Sequence, residues 1–565
     1  MKILGINSAY HELAAALVID GRVVVAIEEE RLSRIKHGKA ARVDNPHEMP
    51  VGAIRLCLER AGVRAEELDA VCYSFDPALR RETFRLDPLS KRGDWGDAEG
   101  EEVFLAALGR VPEAASETLG SDVRKRFRWV PHHLAHAAST FYPSGFGEAA
   151  VLVVDGIGES ASTVIAGGRG ASLTRLEAIQ DPHSLGFLWE KLSKHMGFSE
   201  YDACKVMGLA GYGDPLALRP AFERFVSIEP EGYRLNPEVL AFRLDDFAAL
   251  EQHLGPARDP GQPIGDAQRN IAAALQAITT EIILALARRA RRLFPAPSLC
   301  LAGGVALNCT SNQVLKEQGP FERIYIPSAP HDAGTAVGAA LYVHHAETGA
   351  APGEVSPMPT PYAGPSYSDE EIRAVLTAEG VPFRRCDDIA AEVAALIAGG
   401  QVVGWFQGAM EFGPRALGNR SLLADPRDRG MREMLNVKVK HRETFRPFAP
   451  SVLEERSEAW FELGRPSWSQ GAMLFACPVR PHRLAQIPAV THVDGTARVQ
   501  VVRRGDNPIF HRLIACFEQL TGVPLVLNTS FNDSEPIVCS PRDALATFRS
   551  TRIDALAMGN LLVTR

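Results

Sequence analysis

The sequence predicts an α/β protein of two domains, the first of them internally duplicated. Three observations support this. The 565 residues exceed one ordinary domain. An apolar strand–turn–strand pattern at the N-terminus recurs at Ala149. A proline-rich stretch between Glu347 and Ser366 interrupts the pattern, which then restarts.

In chain order, Lys2 to Asn7 and Ala14 to Asp20 read as strands, Asp20-Gly21 as a hairpin turn, and Val23 to Ile27 as a third strand. Ala149 to Val154, Asp155-Gly156 and Ser162 to Ala166 repeat the unit. Glu82 to Glu102 is charged and irregular, either a surface lid or a partly ordered loop. Ile271 to Leu293 is a long Ala-rich helix ending in four arginines, cations that suit a helix C-terminus. Ser298 to Ala302 reads as a buried strand, Gly303-Gly304 as a turn, and Asn312 to Lys316 and Asp332 to His344 as helices. Pro352, Pro357, Pro359, Pro361 and Pro365 make a stiff connector.

Composition narrows the function. With 46% hydrophobic and 23% charged residues and a net charge of -8, the chain lacks the basic face of a nucleic-acid binder. The opening Met1 to Asn7 is too short for a signal peptide, and no apolar stretch approaches the ~18 residues of a membrane span. Nine scattered cysteines without a C-x-x-C pair point to free thiols in a reducing cytoplasm. The expected partner is a small molecule, neither nucleic acid nor membrane; a homodimer is left open.

Four groups of residues carry chemistry. His132 and His136 stand at i and i+4, where one helix face can offer both to a metal; a plain polar face with three histidines has the same spacing. Asp155 ends an apolar strand, at the crevice where α/β folds bind ligands, or simply makes an Asp-Gly turn. Asp332 opens a helix, where an N-cap is the ordinary role. Together the four form an N/O donor set suited to Fe(II), Mn(II) or Zn(II). The turns Asp155-Gly156-Ile157-Gly158-Glu159-Ser160 and Ala302-Gly303-Gly304-Val305-Ala306-Leu307-Asn308 can bring backbone amides close to a phosphate or nucleoside. Arg415 and Arg420, followed by Lys438, Lys440, Arg442 and Arg446, make a small-anion site or a basic surface; Ser530 and Asn532 follow an apolar strand.

These residues closely resemble the NodU/CmcH/TobZ family of O-carbamoyltransferases over nearly the whole chain. The resemblance rests on His132-x-x-x-His136, Lys205 to Ala210, Gly303 to Cys309, His331 to Gly334, Leu527 to Asn532 and, above all, Gly413-Pro-Arg-Ala-Leu-Gly-Asn-Arg-Ser421. Gly211 departs from the proline frequent there. The resemblance implies a duplicated actin-like ATPase domain (ASKHA, TsaD-like) over 1–347, a linker over 348–366 and a YrdC-like α/β domain over 367–565. It implies ATP, with Mg(II), and carbamoyl phosphate as co-substrates, converted to carbamoyl-adenylate at Lys440, Arg442, Ser530 and Asn532. It also implies a divalent metal, Fe(II) before Mn(II) or Zn(II), at His132, His136, Asp155 and Asp332. Gly156, Gly158, Glu159, Lys205, Gly303, Gly304, Asn308, Arg415, Arg420 and Arg446 would contact the nucleotide or phosphate. The carbamoyl group would pass to a hydroxyl of a natural product or sugar. His11 is the candidate base for that hydroxyl, or a loop hydrogen-bonder. A sugar kinase or tRNA-threonylcarbamoyl-type transferase of actin fold, and a non-catalytic nucleotide-binding regulator, are the rival readings.

Overall fold

The computed structural model describes residues 1–351 and 360–565, without the side chain of Lys438. Pro352, Pro357 and Pro359 of the expected connector lie outside the described residues. The chain divides into two compact units, Met1–Glu29 with His37–Met358, and Glu30–Lys36 with Pro359–Arg565.

In the first unit, strands β1 (Lys2–Asn7), β2 (Ala14–Ile19), β3 (Arg22–Glu28), β4 (Ala70–Tyr73) and β5 (Phe127–Trp129) form a sheet in the order β3-β2-β1-β4-β5. Asp20 and Gly21, at φ 48° and 75°, make the left-handed pair a tight hairpin between twisted strands requires. Strands β6 (Glu148–Val154), β7 (Ala161–Arg169) and β8 (Ser172–Gln180) follow; then come a hairpin of β9 (Val226–Glu229) and β10 (Gly232–Leu235), β11 (Ser298–Ala302) and β12 (Arg323–Tyr325). The second sheet runs β12-β11-β6-β7-β8.

The two sheets share one plan: third, second, first, fourth, fifth strand. In each, the first three strands pair antiparallel, and the fourth joins the first in parallel. The fourth and fifth are parallel as well. This is the duplicated topology of the actin-like ATPase fold. Strand β6 is buried from Ala149 to Val154, as befits a strand covered on both faces.

After each fifth strand comes a helix, His132–Phe141 in the first half and Ala333–Thr348 in the second. A Cβ on Gly338 would lie 1.8 Å from the Ala135 carbonyl oxygen, so the two helices touch backbone to backbone. The helix Asp266–Leu293 is long and apolar enough to cross a membrane by length and composition, against the expectation that no stretch comes near it. Its apolar window is 72% buried inside the unit, which makes it a core helix. The irregular stretch after Thr83 is ordered: Trp95 packs on Tyr10 and Phe104 with ring centroids 5.5 and 4.9 Å away.

The second unit is an α/β domain on a mixed eight-stranded sheet. Its strands are β13 (Arg384–Arg385), β14 (Val403–Phe406), β15 (Arg420–Ala424), β16 (Ala449–Leu453), β19 (Gln500–Val502), β20 (Leu525–Ser530), β21 (Ala555–Met558) and β22 (Leu561–Thr564), with the pair β17 (Ala476–Pro478) and β18 (Thr496–Arg498) beside it. The order is β13-β22-β21-β14-β15-β20-β16-β19. The short segment Glu30–Lys36 belongs to this unit: Arg31 donates to the Gly413 carbonyl (3.0 Å) and Arg34 to those of Ile537 (2.7 Å) and Pro536 (2.5 Å).

Candidate active site

At the junction of the two halves of the first unit, four side chains converge. His132 Nε2 lies 3.3 Å from Asp155 Oδ2 and 3.6 Å from Asp332 Oδ1. His136 Nε2 lies 3.3 and 3.4 Å from the same oxygens. The four candidate donor atoms all fall within 4.8 Å of one another, and the side chains are 0–9% exposed.

The local structure is compatible with a metal-ligating set. Asp332 stands at the N-cap of its helix yet makes no side-chain cap hydrogen bond. The Gly304 N–H donates to Asp155 Oδ1 (2.9 Å), leaving Oδ2 for the imidazoles. His132 Nδ1 donates to the Ser74 carbonyl (3.1 Å), which turns Nε2 toward the carboxylates. His136 Nε2 is buried against the two carboxylate oxygens. Two imidazole nitrogens and two carboxylates, with His132 and Asp155 held from behind, fit a divalent cation.

The electrostatics agree. Burial alone would lower both imidazoles, but the carboxylates of Asp332 and Asp155 hold His132 well above its ordinary value and His136 above it. Burial would raise the two aspartates; the histidines pull both below the usual carboxylate range. His133, between the pair in sequence, is pushed down to about 3 by burial and by His132, and so stays neutral.

A strut holds this cluster. Glu159 Oε1 accepts from the backbone N–H of His132 (2.7 Å) and of Asp76 (2.9 Å). Arg80 donates to the Glu159 carbonyl (2.6 Å) and grips Glu101 with two bonds (2.6 and 2.9 Å). Asp76, Arg80 and Glu101 were not foreseen; an acid and a base in separate helices carry no motif. Glu159 therefore acts first on the helix that bears the histidines.

The glycine turns flank the cluster. Gly158 lies where a Cβ would be 2.5 Å from His133 Nδ1, so its loop lies against the histidine helix. Gly156 neighbours Phe187 and Glu190; Gly303, at φ +93°, packs on the Val154 carbonyl, and Gly304 touches Asp155. Asn308 caps the helix Cys309–Gln318 through the Ser311 N–H (3.0 Å) and exchanges amide bonds with Gln276 (both 3.1 Å). Lys205 pairs with Asp202 (3.1 Å). His11 follows β1; its ring lies edge-on to Tyr201 at 5.7 Å, and its Nδ1 is buried without a hydrogen-bond partner among the described residues.

A second polar centre lies in the second unit. Buried Lys440 donates to four oxygens, the Ser530 carbonyl (2.5 Å) and Oγ (3.2 Å) and the Asn532 carbonyl (2.8 Å) and Oδ1 (2.7 Å). Burial, with Arg442 and Arg446 nearby, drops its pKa well below the ordinary lysine value. A π-helical turn, Leu435–Val439, delivers it, a distortion frequent at functional sites. Arg442 is held by Asn436 Oδ1 (2.7 Å) and lies over the Phe448 ring (4.7 Å), while Arg446 pairs with Glu443 (3.7 Å). Half-buried Arg415 has an Nε without a hydrogen-bond partner among the described residues. Arg420 departs from the expected anion contact. It is fully buried, stacked 3.7 Å over Phe406, and its terminal nitrogens donate to the carbonyls of Gln407, Gly408, Asn419 and Pro365. The arginine is structural. Its loop also folds around its own acid: Glu411 Oε1 accepts from Leu417, Asn419 and Arg420 N–H.

Residues 2–341 match the family model described as carbamoyltransferase N-terminus, and residues 394–565 the model described as carbamoyltransferase C-terminus. The chain belongs to the carbamoyltransferase family. It is similar to the nodulation protein NolNO of Sinorhizobium fredii, 39% identical over 99% of this chain and 80% of the relative. The nodulation protein NolO of Bradyrhizobium diazoefficiens is 40% identical over 77% and 78%. The nodulation protein U of Rhizobium tropici is 31% identical over 94% and 91%. As an enzyme, this carbamoyltransferase carries a cluster of metal-ligating character in one unit and a lysine-centred site in the other.

Proposed function

We propose that the carbamoyltransferase works in two ATP-dependent steps and delivers the carbamoyl group to a hydroxyl of a small molecule. The observation that carries this reading is that each unit has a buried polar centre of its own. In the second unit, Lys440, Ser530, Asn532 and Arg442 would hold carbamoyl phosphate and ATP and form carbamoyl-adenylate: water releases inorganic phosphate from carbamoyl phosphate, and the resulting carbamate oxygen displaces pyrophosphate from the α-phosphorus of ATP. Lys440, buried among oxygens with its charge disfavoured, is primed to regain full charge against an incoming phosphate. Arg415 and Arg446 are the neighbouring cations for the same anion.

In the first unit, His132, His136, Asp155 and Asp332 would hold one divalent metal, with Fe(II) preferred over Mn(II) and Zn(II). A metal there supplies Lewis acidity toward the adenylate phosphate. The chain's own residues do the rest. The loops at Gly156, Gly158, Gly303 and Gly304 line the approach, and His11, whose Nδ1 has no partner, takes the proton of the attacking hydroxyl. A hydroxyl is a weak nucleophile, and removing its proton as the bond forms is the group's task.

The test is the nucleotide product. Purified enzyme given ATP, Mg(II) and carbamoyl phosphate should release pyrophosphate and phosphate, with AMP following as an acceptor hydroxyl or water takes the carbamoyl group. ADP as the product would put a kinase in its place, and no turnover would favour a regulator. Mass spectrometry of a co-purified acceptor would identify the hydroxyl compound.

A further inference from the structure

The loop after β6 carries a niche with room for one small group. Gly156 stands directly after Asp155, at the end of the strand that delivers that carboxylate. The start of the helix Leu185–His195 is fastened to this loop. Ser184 Oγ donates to the Gly156 carbonyl (2.6 Å), and the Gly186 N–H donates to that of Asp155 (3.3 Å). A Cβ on Gly186 would lie 2.7 Å from the Gly156 Cα, so glycine is what lets helix and loop touch. Phe187 and Glu190, three residues apart, share the helix face turned to the loop. A Cβ on Gly156 would sit 3.5 Å from the Phe187 ring and 4.0 Å from Glu190 Oε1, both ordinary contact distances. A small planar group therefore fits over Gly156, against an aromatic ring and within reach of a carboxylate oxygen.

Glu190 is half-buried, and no hydrogen bond or ion pair holds its carboxylate among the described residues. Lys194, one turn on, is engaged with Asp245 (3.0 Å). Burial pushes the Glu190 carboxyl up to about 7, so its charged form is disfavoured until a donor meets it. A carboxylate only accepts. The phosphate and carbonyl oxygens of a carbamoyl-adenylate only accept as well; its NH2 donates. With the phosphate at the metal beside Asp155, the NH2 is one oxygen and one carbon away from the phosphorus. The ribose and adenine donors stand farther off.

We infer that Glu190 is a specificity-determining residue for carbamoyl transfer, whose carboxylate accepts from the carbamoyl NH2 as that group lies in the niche between Gly156 and Phe187. This rests on the reading that carbamoyl-adenylate is the donor used in the first unit. The contact holds the carbamoyl carbon in one orientation while the acceptor oxygen bonds to it. The bond from that carbon to the adenylate oxygen then breaks. AMP leaves with the electron pair, the hydroxyl proton goes to the base, and Glu190 keeps its charge throughout. An acetyl group, with a methyl in place of the NH2, would fill the same niche and leave the carboxylate unmet. A site built on such a hydrogen bond rejects the analogue that lacks it.

The experiment supplies carbamoyl-adenylate or acetyl-adenylate to the metal-loaded enzyme, with methanol as the acceptor probe. It reads AMP with methyl carbamate or methyl acetate, each rate divided by the rate without enzyme. Wild type should favour the carbamoyl donor by ~10–100-fold, the scale of a hydrogen bond to a charged group. Glu190→Leu should abolish this preference by slowing carbamoyl transfer alone. Glu190→Gln, which keeps one accepting oxygen, should retain part of it. Gly156→Ala puts a methyl into the niche at a backbone position outside the left-handed region, and should slow both donors. Wild type that uses the two donors alike overturns the inference. So does a preference that survives in Glu190→Leu, or an equal fall with both donors, which a ribose contact or a merely structural role would give. Wild-type rates from Gly156→Ala overturn it too. Wild type that releases AMP from neither donor refutes the adenylate reading itself, and the inference falls with it.

Discussion

Asp332 occupies the N-cap of the helix Ala333–Thr348 without capping it, and instead sets its Oδ1 3.4 Å from His136 Nε2, on a helix of the other half. An aspartate in that place ordinarily contributes about 1 kcal/mol by accepting from the helix's free amides. Forgoing this contribution in favour of a buried imidazole is what the proposed metal-ligating role would ask of it.

The cluster should bind one divalent metal per chain. His136→Ala and Asp332→Asn should each weaken binding by at least the ~10–100-fold that loss of a mere supporting partner costs. Because Asp332 does no capping, Asp332→Asn should stay folded. Elemental analysis after dialysis reads the outcome; equal metal in variant and wild type would remove these residues from the site.

Lys440→Ala should abolish pyrophosphate release, because four oxygens now gathered around one amino group lose their shared donor. Transfer from supplied carbamoyl-adenylate should persist. Both rates are measured on the same preparation, and a parallel loss of both in folded protein would reject the division of labour.

His11→Asn should slow transfer ~100 to 10,000-fold, the range for a lost general base. Pyrophosphate release should continue and carbamoyl-adenylate accumulate. Near-normal transfer would hand the proton to another acceptor, such as the adenylate phosphate.

Arg80 and Glu101 form a buried ion pair, 2% and 9% exposed. Arg80→Ala leaves the acid buried alone and should cost about 3–5 kcal/mol, while Arg80→Met with Glu101→Leu should cost much less. Thermal melting of the single and double variants checks this. The single variant should also lose metal, since Arg80 holds Glu159 and Glu159 holds His132.

Glu190 gives a pH signature in stability. Its carboxyl holds a proton up to about 7 in the folded chain, against 4.5 ordinarily. The folded state therefore binds the proton more tightly; this stabilisation is complete below 4.5 and is lost as pH rises through 7. Glu190→Gln, which cannot ionise, should gain melting temperature relative to wild type at pH 8 compared with pH 5. A constant difference between the two pH values would refute the raised carboxyl.

Much of this was legible in the sequence because it was local. Lys2–Asn7 and Ser298–Ala302 fall where continuous apolar runs bounded by turns put them. The duplication showed as a repeated strand–turn–strand unit, though not the shared strand order, which needs pairings between strands far apart in the chain, such as Ile3 with Ala70 and Ala150 with Leu299. His132 and His136 were legible from their spacing, and Asp155 and Asp332 from their places at element ends. Glu159, Arg80 and Glu101 acquire their roles from partners remote in the chain, and no spacing rule reaches that far. Arg420 misled for the converse reason: an arginine among turn residues looks the same in sequence whether its donors meet phosphate or carbonyls.

The seven residues Glu30–Lys36 have a consequence for how such an enzyme can be dismantled or inherited. The polypeptide leaves the first unit after Glu29, completes the second with this short passage, and returns at His37 before departing for good beyond Met358. No single break of the gene frees both units whole. A split at the proline-rich stretch strands Arg31 and Arg34 on the wrong fragment, away from the carbonyls of Gly413, Pro536 and Ile537. Recombination that swapped one unit for a foreign counterpart would have to carry two cassettes at once, which favours transmission of this enzyme as one indivisible reading frame.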